Sequence, residues 1–118
     1  MSVQKVIDIT SDLNDNDLCT LDVGGWDNVE MQLVSPTGTF SFFTSNDSGA
    51  ITGVSDGSNV SATNFTAVTG TKLADNSAVT SLAASGVVKF TNIGQYLRIS
   101  GAGAAQVTSG FVRLYKIN

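Results

Sequence analysis

The chain has 118 residues, no histidine, one cysteine, 14% charged residues and a formal net charge of −4. That length fits one domain, residues 1–118, able to bury a core without disulfides or metals. Six scattered basic residues against ten acidic ones exclude a phosphate-binding surface and hence a nucleic-acid partner.

No apolar run approaches the ~20 residues of a membrane-spanning helix, so no membrane partner is expected. The first residues, Met1-Ser2-Val3-Gln4-Lys5, lead through a short apolar patch to Asp8 and do not read as a signal peptide. Cys19 has no second cysteine to pair with. Ser and Thr, roughly a quarter of the residues, take the place of missing charges, as suits strands and turns.

In chain order, the alternation of apolar and polar residues predicts a first strand over residues 3–10. An acidic loop over 11–17 leads to a second strand at 18–23, and Gly24-Gly25 breaks the chain. A third strand covers 28–35, where Val29, Met31 and Leu33 share one face. Pro36-Thr37-Gly38 reads as a tight turn whose hairpin partner is 39–45. Between 46 and 86 the signal weakens to short Thr-rich pieces around Ile51, Val60, Phe65 and Val68, read as two or three short strands. Order returns at 87–92, 96–100 and 106–117, spaced like a meander. No window shows helical spacing with caps. The expected fold is all-β, an antiparallel β-sandwich of jelly-roll or Greek-key type.

Little in the chain points to catalysis. Without histidine, acid–base work at neutral pH would need carboxylates with shifted pKa values, and Glu30 lies on the exposed phase of its strand. Cys19 shares the apolar phase of Leu21 and Val23 and reads as a core residue. Asp12, Asn14 and Asn16 have the alternate spacing of calcium ligands, but an EF-hand loop would need Gly and Glu where Asp17 and Val23 stand. A solvated turn is expected there, with no metal and no cofactor.

Phe111, Arg113 and Tyr115 share the phase opposite Val112 and Leu114. Phe42 and Phe43 are adjacent on one strand and cannot both face one core. Aromatics and Arg are enriched at interfaces, so Phe43, Phe111, Arg113 and Tyr115 are the candidate interface residues. Trp26, Tyr96, Tyr115 and Phe111 are also candidates for a sugar-stacking platform.

The phrases Gly25-Trp26-Asp27-Asn28-Val29, Ser35-Pro36-Thr37-Gly38-Thr39, Thr44-Ser45-Asn46-Asp47, Ser61-Ala62-Thr63-Asn64-Phe65, Gly94-Gln95-Tyr96-Leu97-Arg98-Ile99 and Val112-Arg113-Leu114-Tyr115-Lys116 carry a resemblance. From about Cys19 onward the chain resembles small virion structural proteins of tailed bacteriophages, the capsid decoration (cement) proteins and the shell-binding domains of head fibres. The resemblance implies a β-sandwich seated on an assembled shell, often as a trimer, with no catalytic residues. It implies the major capsid protein or another virion protein as partner, together with other copies of the chain. Its place would be the virion, assembled in the bacterial host cytoplasm. The alternative readings are a carbohydrate-binding module with Trp26 or Tyr96 as platform, or a phage tail or fibre component.

Overall fold

A computed structural model of the chain describes residues 2–47 and 64–117. These form strands β1 (Ser2–Asp8), β2 (Leu18–Asp22), β3 (Asn28–Val34), β4 (Phe40–Ser45), β5 (Thr66–Ala67), β6 (Gly70–Lys72), β7 (Ala78–Val79), β8 (Ser81–Leu82), β9 (Gly86–Phe90), β10 (Tyr96–Gly101) and β11 (Ser109–Ile117). One short helix, α1 (Thr10–Asn16), joins β1 to β2.

The strands build two antiparallel sheets. One has the order β1-β11-β3-β9-β6-β7, and the other has β2-β10-β4-β5 with β8 also on β4. Successive long strands therefore alternate between sheets, which is the winding of a jelly roll. The inner phases meet in one core. Met31, Leu33, Val88, Val112 and Leu114 come from the first sheet, and Cys19, Leu21, Phe40, Phe42, Leu97 and Ile99 from the second, all fully buried. Phe42 and Phe90 meet edge to face across the two layers, with ring centroids 5.1 Å apart.

This winding corrects two expectations. β3 and β4 do not form a hairpin. Ser35 (φ 49°) and Gly38 (φ 84°) turn the chain around Pro36 from one sheet into the other. Thr37 is held at that corner by a two-bond bridge to Gln106, with N···O distances of 2.8 and 3.0 Å. Likewise β9, β10 and β11 are no meander, because β10 lies in the opposite sheet. Alternation records which face of a strand is inward. It does not record which of two facing sheets holds the strand.

A third correction concerns residues 11–17, expected as a loop. Ile9 and Leu13 lie four apart and are both fully buried, so a single turn-to-turn apolar pair docks α1 on the sandwich. Asp17 closes the helix in the left-handed region (φ 59°), its N–H bonded to the Leu13 carbonyl at 3.1 Å.

Of the weakly patterned stretch, the pieces around Ile51 and Val60 lie outside the described residues. The remainder holds β5 to β8. β5 and β8 lie end to end along one edge of β4, against Thr44 and Phe43 and then Ser41 and Phe40. Phe42 joins the two halves, accepting from the Val68 N–H and donating to the Thr80 carbonyl. They form one strand position, interrupted by the β6–β7 hairpin, which crosses over and pairs with β9.

Candidate functional site

The sequence-predicted stripe lies on the outer face of the six-stranded sheet. On β11 Val112 and Leu114 are fully buried, so Phe111, Arg113 and Tyr115 point outward and are half-buried. Register carries each into a cross-strand row. Phe111 lies between Asp8 and Gln32, Arg113 between Val6 and Glu30, and Tyr115 between Gln4 and Asn28. The rows continue through β9 to β6, where Glu30 meets Lys89 and Gln32 meets Val87. The Leu73 N–H donates to the Val87 carbonyl at 3.0 Å, bringing Leu73 beside Val87.

A polar ladder spans this face. Arg113 donates from Nε to Gln4 Oε1 at 3.0 Å and reaches Glu30 Oε1 with a terminal nitrogen at 3.5 Å. Asn28 donates from Nδ2 to Glu30 Oε2 at 3.3 Å. Its own Oδ1 is buried and has no hydrogen-bond partner among the described residues. The Arg113 guanidinium also sits 5.3 Å from the centroid of the Tyr115 ring. An exposed ion pair of this kind contributes about 0–1 kcal/mol, so the ladder orients Arg113 more than it stabilises the fold.

Beside the ladder lies a shallow depression of about 340 Å³, walled by Val6, Leu73, Val87 and Phe111 and edged by Glu30 and Arg113. Val6 is 55% and Leu73 47% exposed. The arrangement offers apolar area next to a positioned guanidinium, the composition of a protein-binding patch.

Phe43 is elsewhere. It is half-buried on the outer face of the five-stranded sheet, in a row with Thr20, Arg98 and Ala67. No single flat contact takes in Phe43 together with Phe111, Arg113 and Tyr115. On Phe43's side, Arg98 donates from Nε to Thr20 Oγ1 at 2.8 Å, and its guanidinium lies 4.0 Å from the Phe65 ring centroid. Burial among these groups lowers the Arg98 pKa from its ordinary value.

The other sequence candidates have structural duties. Tyr96 is only 6% exposed and so presents no open ring face for a sugar, while Trp26 is half-buried and packs against the core. Cys19 is fully buried. Asp12, Asn14 and Asn16 fall on α1, not on the loop that alternate ligand spacing requires, and there Asp12 and Asn14, two apart, point about 200° from each other. The Asn14 amide instead grips Val107, donating to its carbonyl at 3.0 Å and accepting from its N–H at 2.8 Å. Among the described residues no group of three or more Cys, Asp or Glu side chains is placed to hold a metal.

Sequence reasoning did not assign Val6, Leu73 or Val87 to the patch. Val6 sat within a recognised strand, and its one-residue phase against Ile7 was the available signal. Leu73 had none, because the crossing of β6 to the far sheet brings it there.

No family model matches the chain, and no curated protein matches it in sequence. Its fold is similar to that in the crystal structure of the SPBc2 prophage-derived protein YomS. The TM-score is 0.62 at 12% identity, and the match covers 98% of this chain and 96% of that one. At that identity the likeness is one of fold.

Proposed function

We propose that this chain is a non-enzymatic structural protein of a tailed-phage particle. It decorates and stabilises the capsid by binding the major capsid protein or another virion protein, and it associates with copies of itself. The observation that carries this reading is the outer face of the six-stranded sheet, where Phe111, Val6, Val87 and Leu73 gather apolar surface beside an oriented Arg113. Two further supports are the end-to-end fold likeness to a prophage-derived protein and the virion-protein texture of the sequence. The mechanism is repetition: one modest contact gains strength when many copies hold a regular lattice at once. Such a protein acts in the virion, assembled in the bacterial host cytoplasm.

The test is co-sedimentation of the purified chain with undecorated capsids of the phage or prophage that encodes it. Saturable binding that raises the temperature of capsid disruption is the expected result. The pair Phe111→Ser and Leu73→Asp should weaken binding about tenfold or more while the circular dichroism stays unchanged. Binding to isolated tails and not to capsids would move the protein to the tail or fibre. Binding to a glycan array alone would replace the structural reading with the carbohydrate one.

A further inference from the structure

β1 is the edge of the six-stranded sheet, and its only extensive neighbour among the described elements is β11. It pairs with β11 in an unbroken register over its whole length, from Ser2 opposite Ile117 to Asp8 opposite Phe111. The directions of its backbone groups follow from hydrogen bonds at the two ends of β11. The Gly110 carbonyl faces β1's side, accepting from the Ile9 N–H, whereas the Tyr115 carbonyl faces β3's side, accepting from the Asp27 N–H. Backbone groups of successive strand residues point to alternate sides. Even-numbered residues of β11 therefore bond β1, through Val3, Lys5 and Ile7. Gln4, Val6 and Asp8 turn their N–H and C=O groups away from the sheet. Gln4, Val6 and Asp8 are all exposed.

Sheet edges are ordinarily guarded by a proline, a bulge, a covering helix or a charge. β1 has no proline and no bulge, and α1 packs against β2, β10 and β11 instead. Among the described residues the guard it has is charge, and charge bears on the register of a mate. An antiparallel mate that satisfies the outward groups must set even residues opposite even residues. With a second copy of β1 the longest such overlap sets Lys5 on Lys5 at the close spacing of a non-hydrogen-bonded pair, which like charges oppose. Moving the register by two residues removes that clash. Moved toward α1, it centres Val6 on Val6, sets Gln4 opposite Asp8 as an amide–carboxylate pair, and sets Lys5 opposite Ile7. The opposite shift sets Gln4 on Gln4 and leaves Asp8 outside the overlap.

The geometry points to β1 as a two-fold pairing edge whose occupant is β1 of a second copy of this chain, centred on Val6. The pairing joins two six-stranded sheets into one. It brings the Val6 walls of two outer-face depressions together at the centre of a continuous surface. It deepens the self-association proposed above by assigning it to the β1 backbone edge. Because Leu73 lies on the outer face and away from that edge, Leu73→Asp should leave the dimerisation unchanged whatever it does to capsid binding. One pair of short strands buries less than the about 1,200 Å² of a stable interface, so association on the micromolar scale is expected.

Sedimentation equilibrium of the full chain across a dilution series reads the association directly, without capsids. The expected result is a reversible step from the 12.2 kDa chain to twice that mass. Val6→Pro removes an N–H that β11 does not use, so it should weaken dimerisation at least about tenfold while leaving the circular dichroism intact. Register is read separately, and without a proline in the strand, with Val6→Cys. Under mild oxidation that variant should cross-link to dimers, since directly opposed residues about 5.5 Å apart suit a disulfide, and Val3→Cys should not. A chain that stays monomeric at millimolar concentration overturns the inference. So does a Val6→Pro variant that folds and dimerises like the parent, or cross-linking at Val3→Cys as readily as at Val6→Cys.

Discussion

Asn14 shows how one side chain replaces a suspected ligand role with a structural one. Its amide presents a donor and an acceptor to the Val107 backbone, imitating a strand neighbour where no strand is available. Both bonds are partly buried, so Asn14→Ala leaves a backbone N–H and C=O without partners. A loss of about 1–3 kcal/mol is expected from urea unfolding, and added calcium should not restore it. Leu13 is the neighbouring case of packing. It is fully buried and, with Ile9, anchors α1 against the sandwich. Leu13→Ala should cost about 2–5 kcal/mol by the same measurement. Neither duty shows in spacing alone, since one apolar pair four residues apart is too short a run to display a period.

At the scale of elements, the interrupted strand along β4 is the feature local pattern could not reveal. β5 and β8 are two residues each, and only β4 makes them one strand position. The hairpin inserted between them reaches the far sheet because Gly70 permits close approach. A Cβ at Gly70 would fall 2.8 Å from Phe90 Cε1 and closer still to Val88 Cγ1. Gly70→Ala should therefore destabilise by about 1–3 kcal/mol through overpacking. Hydrogen exchange should localise the effect, with the Leu73 amide losing protection because its bond to Val87 depends on the hairpin's seat.

For the whole molecule, the absence of histidine leaves no side chain whose ordinary pKa lies between about 5 and 8. The melting temperature is expected to stay level across that range in calorimetry. On the acid side, the side-chain hydrogen bond with Thr10 holds the Asp8 carboxyl below its ordinary value, and Ser77 does the same for Asp75. A carboxyl depressed on folding stabilises the native state above its unfolded pKa, and the contribution is lost as pH falls through the folded one. Stability should thus decline only below about pH 4. Asp8→Asn and Asp75→Asn should each flatten part of that decline, by a small amount because both groups are exposed.

Much of the architecture was nonetheless readable locally. The inward phases of β3, β4, β10 and β11 carry the residues the alternation named, and the Phe-Arg-Tyr stripe of β11 faces out as expected. The sequence by itself determined that the chain would make strands with one apolar face, because that period belongs to the backbone of a single strand. Only the tertiary structure decided which sheet each strand joined. It made the Pro36 corner a crossing instead of a hairpin, parted Phe43 from Phe111, and brought Leu73 beside Val87. Those outcomes rest on pairings between residues far apart in the chain, and two facing sheets present the same apolar pattern to the core between them.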